Sequence, residues 1–570
     1  MKRREFVQYG SVAFCAAPLL TSMVFRSSAK EESKPDWLLS LIKANDNQLD
    51  RQRGYRVSDM NSPAYGGFLD GVEIPNAHST VAFIRTAGCA LPSPESRYYR
   101  SEEIAKELED ALNYLLKIQH SDGTIDLLST NFHSTPDTGF IVKWLMPVYN
   151  IVLREDSNRY DTQLELLKTF LLRAGECLIV GGIHTPNHRW VVSAALTKLN
   201  EVWPNPRYLS RIEEWLGEHI DMDPDGQYDE KSTLIYSPLT DRVLITIAKG
   251  TNKPELYKYV RRNLMMTTYY IHPNGEIATE ASGRQDKAAV GTMQGYYYPY
   301  RFMALKDQNG IFSAICKEIE STVLEKSVSQ LPYFLEDTSL WRELPNPTFL
   351  PTSYAKAFPY SGLVRIRRGD WDATIISQNP TFLTFHKGNA VLQGIRFSAS
   401  FFGKGQFQGD EIRQEGNDYV MERKLAGPYY QPYPKDSIDP DGDWDKMPQS
   451  KREQSEIQYL TSRASIREVS DGVECDIEIT GTDNVPVSVE LIFREGGEFQ
   501  NVETLSAENE SYLLKTDEVG MYTLKGDKLT FGPGLRKHKG VQLRGALPRM
   551  SAPTVYLTGF TPFKHTFRIS

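Results

Sequence analysis

Cysteine is scarce, five in 570 residues, and no two form a Cys-x-x-Cys pair. That excludes a zinc ribbon and a thioredoxin-like redox motif. Cys15 lies near the start, while Cys89, Cys177, Cys316 and Cys475 are far apart, as isolated buried thiols would be. Basic residues are also in deficit: 65 Lys and Arg stand against 73 Asp and Glu, a formal net charge of −8. An overall basic footprint for nucleic acid is therefore absent, and an anionic ligand would need a local basic pocket. No Gly-x-Ser-x-Gly elbow and no glycine-rich phosphate loop occurs. The longest apolar run, 6–25, is interrupted by Gln8 and Tyr9 and is too weak for a membrane span. Gly (40) and Pro (32) sit near average usage, which leaves no room for a collagen-like or low-complexity chain.

What is abundant is aromatic: 8 Trp, 30 Tyr and 25 Phe make 11% of the chain. Such a supply suits both cores and flat ligands such as sugar rings. Residues 1–29 read as an export segment. Lys2, Arg3 and Arg4 open it, the apolar run follows, and small residues Ser27 and Ala29 mark a cleavage site. Arg3-Arg4-Glu5-Phe6-Val7 resembles a twin-arginine signal, with an ordinary secretory signal as the alternative. Either places the mature protein in the periplasm or outside the cell, with no stable membrane span.

The pattern changes character near residue 330. Before it, the apolar period is helical: Ile104, Leu108, Leu112, Leu115 and Leu116 form one stripe over 102–119. Similar runs cover 139–153, 161–179, 190–199, 208–220, 239–249, 254–270, 293–306 and 311–325. About nine helices with few strands between them favour stacked helical hairpins in a toroid or solenoid. After 350 the pattern alternates, with strands expected at 363–367, 373–377, 381–385, 390–402, 457–469, 472–480, 485–493, 512–514, 521–524, 541–543 and 554–557. Strands in series without helices imply an antiparallel β-sandwich. The chain thus divides into an export segment (1–29), a helical domain (30–340) and a sandwich domain (350–570). The Pro-rich piece 344–351 links the two domains, and 427–449 reads as a long loop. The fold class is α+β, multidomain.

Three clusters carry candidate chemistry, all in the helical half. Asn131 and His133 lie two apart in a polar stretch before a helix, where Ser134 or Asp137 would serve as the cap. His184-Thr185-Pro186-Asn187-His188-Arg189-Trp190 enters the next helix but one, with Asn, His, Arg and Trp in four successive positions. Asp221 to Tyr228 imitates a calcium loop, but Ser232 stands where the bidentate Glu belongs, so calcium remains only an optional structural ion. Asp439 to Asp443 invites the same reading. Glu230, Thr233 and Tyr236-Ser237 fall at helical spacing and are expected to line one helix face. No metal-ligand set and no required cofactor emerges.

A helical first half, a sandwich second half, Asn187-His188 before one helix and the stretch Asp225-Gly226-Gln227 through Tyr236, with Glu230 to Tyr236-Ser237 in a later helix, resemble the heparinase II/III-like and alginate-lyase-like polysaccharide lyases. That resemblance implies an incomplete (α/α) toroid followed by an antiparallel β-sandwich. It implies a carbon–oxygen lyase acting on an anionic, uronic-acid-containing polysaccharide or oligosaccharide. Tyr236 would correspond to the catalytic tyrosine, and Asn187 and His188 to the pair that meets the substrate carboxylate. The family often adds a histidine from the sandwich, for which His386 is the candidate.

The chemistry asks for these residue types independently. The C5 proton of a uronic acid lies α to a carboxylate, so its removal builds charge on a group already anionic. Asn, His and Arg donors on that carboxylate stabilise the enolate-like state. Tyrosine can move the proton from C5 to the departing O4; its ordinary pKa of about 10 asks for nearby cations. Otherwise a histidine, His133, His188 or His386, is the base and Tyr236 the acid. Arg284 is the candidate carboxylate clamp. Asn131, Arg189, Trp190, Glu230 and Tyr298 are candidate substrate contacts. Two other classes compete: a glycoside hydrolase using paired carboxylates among Asp137, Asp229 and Glu230, and a non-catalytic glycan-binding protein.

Overall fold

The computed structural model describes residues 34–570, so the export segment expected at 1–29 lies outside the described residues. Twelve α-helices occupy the first part. They are α1 (Asp36–Arg53), α2 (Ala77–Ala90), α3 (Glu102–Ile118), α4 (Thr135–Asp156), α5 (Asp161–Val180) and α6 (Pro186–Val202). After them come α7 (Pro206–Gly217), α8 (Tyr236–Gly250), α9 (Tyr257–Thr267), α10 (Tyr297–Asp307), α11 (Gly310–Thr322) and α12 (Leu331–Glu336). The α3 stripe behaves as its spacing requires. Ile104, Leu108, Leu112 and Leu115 are buried, Glu102 and Glu103 sit in the first turn, and the Ser101 hydroxyl accepts from the Ile104 N–H.

Helices α2, α4, α6 and α8 pack side by side in succession, with α3, α5 and α7 outside them, and α12 closes against α2 and α4. This is the toroidal arrangement. The inner helices all begin at one end. His78 in the first turn of α2 lies 3.4 Å from Asp137 in the first turn of α4. Phe140 of α4 meets the ring of His188, in the first turn of α6, edge-on at 6.0 Å. The positive ends of several helix dipoles therefore face the same opening.

Segment 344–351 carries neither helix nor strand. Beyond it, two sheets pack face to face. One has nine strands, in the order Glu503–Ser506, Ser511–Leu513, Thr554–Phe560, Pro486–Phe493, Ala390–Ala399, Leu383–Lys387, Trp371–Ile376, Leu363–Arg368, Ser353–Phe358. The other has eight, running from Arg413–Glu415 through Asp418–Tyr430, Gln454–Val469, Gly472–Gly481, Phe563–Ile569, Asp527–Gly532 and Gly520–Leu524 to Glu498–Gln500. Ile366, Phe385, Ile395 and Val489 of the first sheet share one buried core with Ile466, Ile477, Phe567 and Leu529 of the second. All pairings are antiparallel except Ser511–Leu513 on Thr554–Phe560. The α+β class and the toroid-then-sandwich order stand as expected.

Several local expectations fail for identifiable reasons. Residues 427–430 belong to a long strand, because Asp418–Tyr430 pairs along most of its length with Gln454–Val469. Residues 541–543 form no strand. Glu230 and Thr233 do not share a helix face with Tyr236. Lys231 takes a left-handed φ of 52°, and α8 starts only at Tyr236, whose N–H meets the Ser232 hydroxyl at 3.1 Å. The Asp-rich loop has its carboxylates occupied by protein donors. Asp223 Oδ1 accepts from the Gly226 and Gln227 N–H groups, both at 2.9 Å, and Oδ2 accepts from the Ser361 hydroxyl. Asp225 Oδ2 accepts from the Tyr360 and Ser361 N–H groups at 2.8 and 2.9 Å. The loop is a clamp that ties the toroid to the sandwich. Gly226 makes the turn possible: its φ is 108°, and a Cβ there would lie 2.9 Å from the Arg262 carbonyl oxygen. Cys89, Cys177, Cys316 and Cys475 are free and buried. Among the described residues no helix is long and apolar enough to cross a membrane.

Candidate active site at the mouth of the toroid

Pro186 is the first residue of α6, a position where its missing N–H costs nothing and its fixed φ suits the helix. Asn187 and His188 follow at once. Asn187 is buried, and its Nδ2 donates to Glu230 Oε1 at 2.6 Å. Its Oδ1, and Glu230 Oε2 opposite, have no partner in the protein. Glu230 comes from the loop before α8, and Tyr236 from the first position of α8. The Tyr236 hydroxyl accepts from Gln285 Nε2 at 2.9 Å. Arg284 lies over the Tyr236 ring, 5.2 Å from its centroid, and its Nε is 3.8 Å from Glu230 Oε2. Asn187, His188, Glu230, Tyr236 and Arg284 are thus brought to one opening from three separate stretches of chain. Gln285 and His184 join them; His184 opens the cluster already marked in the sequence without a role of its own, and Gln285 carries no local sequence signal.

The electrostatics separate two roles. Burial pushes the Glu230 carboxyl above its ordinary range, against the pull of Asn187 and Arg284. Burial first, then His184 and Arg284, push the His188 imidazole down to about 4, with Asp137 opposing. His188 is therefore neutral near pH 7. The His184 backbone N–H points at His188 Nδ1 from 3.4 Å, a tautomer that leaves the proton on Nε2, facing away from the helix.

The remaining candidates sit elsewhere. Asn131 Nδ2 donates to Asp137 at 3.2 Å, beside the opening. His133 pairs with Asp122 at 2.7 Å and stacks on His120 at 3.8 Å, on the exposed hairpin ahead of α4. Arg189 and Trp190 both turn to Asp221, Trp190 Nε1 donating at 2.8 Å, and Trp190 has no exposed surface. Tyr298 is buried and stacks on Tyr333 at 4.7 Å. The packing that makes Arg189, Trp190 and Tyr298 conspicuous in sequence is internal to the toroid. Asp137, Asp229 and Glu230 do not behave as a facing pair: Asp137 is held by Ser134, Asn131 and His78, Glu230 by Asn187, and Asp229 lines the cleft.

That cleft, about 570 Å³, opens between toroid and sandwich. Its wall includes Asp229 and Lys231, on either side of Glu230, and Ser282 and Gly283, just before Arg284. Tyr360 and Tyr419 face it from the strand half.

His386 belongs to a second cluster, at the junction of the halves. It stands opposite Asp372 on the neighbouring strand and stacks on His272, ring centroids 3.6 Å apart. His272 Nδ1 meets Asp372 at 2.9 Å, and Arg365 donates to the same carboxylate at 2.7 Å. Glu280 lies 3.7 Å from both imidazoles. His272, Asp372 and His386 offer ligand atoms within 4.8 Å of one another. His386 Nδ1 and Glu280 Oε2 are buried without partners. Burial lowers the His272 imidazole towards the neutral form a ligand needs, and Arg365 beside Asp372 holds its carboxyl ionised. Two imidazoles and one or two carboxylates suit a divalent cation of the zinc type. His386 alone was marked in the sequence; the set as a whole was not, because its members are 100 and 14 residues apart.

Comparison with solved structures returns the same architecture end to end. Chondroitin AC lyase of Streptomyces coelicolor A3, in complex with chondroitin sulphate, matches with a TM-score of 0.56 at 11% identity, over 94% of this chain and 80% of that one. Heparinase III gives 0.53 at 11% identity, over 93% and 82%. A Paenibacillus xanthan lyase gives 0.52 at 10%, over 87% and 51%. At such identities the likeness is one of fold: the chain has the toroid-plus-sandwich fold of polysaccharide lyases. Neither known protein families nor curated sequences return a match.

Proposed function

We propose that this protein is a polysaccharide lyase that cleaves the bond to C4 of a uronic acid by β-elimination. The observation that carries the reading is the convergence of Tyr236, Arg284, His188 and the Asn187–Glu230 pair on one opening. Unpartnered polar atoms there face the ends of the inner helices. Fold likeness to lyases, one of them bound to chondroitin sulphate, supports it.

The substrate carboxylate enters at the helix N-termini. Glu230 accepts from the Asn187 amide at 2.6 Å and holds that amide in place beside the entering carboxylate. His188 offers its Nε2 proton to the same group, and Arg284 its guanidinium. These donors strengthen as charge builds on the enolate-like state, so they favour the transition state over bound substrate. Tyr236 takes the C5 proton; the C5 electron pair forms the C4–C5 double bond, the C4–O4 bond breaks, and Tyr236 returns a proton to O4. Tyr236 is the phenolate before the first transfer and again after the second, and Arg284, over its ring, offsets that charge. The saccharide runs on through the inter-half cleft past Tyr360.

A divalent cation at His272, Asp372 and His386, with Glu280 beside them, would join the toroid to the sandwich and fix the segment that carries Arg284 and Gln285. It supplies position, and no proton passes through it. The export reading of 1–29 places the enzyme in the periplasm or outside the cell, where such polymers are met.

Incubation with a panel of uronate polysaccharides, read by ultraviolet absorbance, tests the proposal. A new double bond conjugated to the carboxylate absorbs; hydrolysis or binding alone gives no signal, and reducing ends released without absorbance would point to a hydrolase.

A further inference from the structure

Below the opening, the inside of the toroid carries a second concentration of charge. Arg85 of α2, Lys143 of α4 and Arg242 of α8 lie six to eight residues into their helices. At a rise of about 1.5 Å per residue, all three sit roughly 10 Å beneath the helix N-termini. Arg85 and Lys143 share one aromatic: the Trp144 centroid is 4.7 Å from the Arg85 guanidinium carbon and 4.2 Å from Lys143 Nζ. Tyr333 of α12 closes the group, its ring 6.0 Å from Trp144.

Among the described residues no carboxylate pairs directly with this group. Lys143 is 2% exposed, Tyr333 6% and Arg242 9%. No carboxylate oxygen of the described residues comes within 4.0 Å of any of the three cations, although such pairs are common elsewhere in the chain. Arg242 Nη1 donates to the Gly295 carbonyl, but its Nε and the Tyr333 hydroxyl are buried without partners. Asp241, next in sequence to Arg242, turns away to accept from Tyr228 at 2.8 Å. Buried cations are ordinarily paired, because an uncompensated one costs several kcal/mol. Arg85, Phe140 and Trp144 remain partly accessible, and Phe140 meets His188 at the opening.

We propose that the interior of the toroid binds a compact oxyanion, sulfate or phosphate in form, held by Arg85, Lys143 and Arg242 with the Tyr333 hydroxyl. Burial and the two flanking arginines push the Lys143 ammonium well below its ordinary range, as expected of a site whose balancing charge arrives with the ligand. The oxyanion is either free or carried on a sugar that reaches below the opening. Only the second source rests on the lyase reading.

Calorimetric titration of the full chain with inorganic sulfate and phosphate, at constant ionic strength in chloride, separates these. Saturable binding by the parent, weakened about 10–100-fold in Lys143→Met and in Arg85→Met, establishes the site and a free anion as its occupant. Binding of a sulfated uronate oligosaccharide but of neither free anion, weakened by the same variants, establishes the sugar-borne source. Two outcomes overturn the proposal: no saturable binding of any of these ligands by the parent, or binding that both folded variants retain at full strength. Loss of lyase activity is not read, so failure of the elimination mechanism leaves the free-anion result intact.

Discussion

Two clusters of histidine, carboxylate and arginine lie within one chain, one at the mouth of the toroid and one at its junction with the sandwich. At the mouth, Tyr236 holds only Gln285, and Asn187 Oδ1 and Glu230 Oε2 hold nothing. At the junction, Asp372 is gripped by both His272 and Arg365, and Arg365, Asp372 and His272 have almost no exposed surface. The mouth is built of side chains waiting for a partner, the junction of side chains that mostly have one. Reactive chemistry needs unspent hydrogen-bonding capacity facing solvent; structural chemistry needs it consumed.

The sharpest way to break this contrast is Tyr236→Phe. It removes the hydroxyl and keeps the ring under Arg284. Turnover should fall by about 10²–10⁴-fold with the melting temperature unchanged, measured by product absorbance and thermal unfolding. Near-full turnover would transfer the proton-transfer role to another residue. Next comes His188→Ala, expected to cost about 10²–10³-fold through kcat, because the donor it removes acts on the charged intermediate.

The junction should answer through stability. Elemental analysis should find one divalent cation per chain. A chelator should lower the melting temperature by several degrees in the parent and leave His272→Ala, already lowered, unmoved. Arg365→Met should destabilise by about 3–5 kcal/mol, since it leaves Asp372 without its closest cation; denaturant unfolding checks it. A stable, metal-free His272→Ala would make this junction no different from an ordinary buried network.

The smallest effects are in pH, and their signs differ. His188 is lowered to about 4. Its contribution is complete above pH 6.5 and lost as the pH falls from 6.5 towards 4. Glu230 is raised, so its contribution is complete below about pH 4.5 and fades as the pH climbs through its raised value. Melting curves of His188→Gln should lose the first slope and those of Glu230→Gln the second. Asp372 is depressed; its contribution is present above the ordinary carboxylate range and disappears only in stronger acid.

Much of this was legible in the chain. The stripe of α3, the helices at 161–180 and 186–202, and the strands at 454–469, 472–481 and 486–493 follow from periods of 3.6 and 2. The boundary between helical and strand halves follows from the change of period. Asn187-His188 stood out as a pair ahead of a helix and Tyr236 as a tyrosine beyond the Asp-Gly turn, although the helix starts at Pro186 and Tyr236 were not located. Helices α1 and α2 went unmarked, and so did strand Asp527–Gly532 and strand Phe563–Ile569, the latter paired with Gly472–Gly481, distant in sequence.

What the sequence determined by itself is therefore the class and the order of the two halves, since periodicity acts over a few positions. Only the tertiary structure decided which polar residues are spent. It turned Arg189 and Trp190 inward to Asp221, converted an apparent calcium loop into a clamp on Ser361, and moved His386 from a candidate base to a partner of His272. It also stacked Arg85, Lys143 and Arg242 at one depth inside the toroid. Each outcome depends on which side chains meet across distant segments, and hydrogen bonds and charge are satisfied in space, with no period to betray them in the chain.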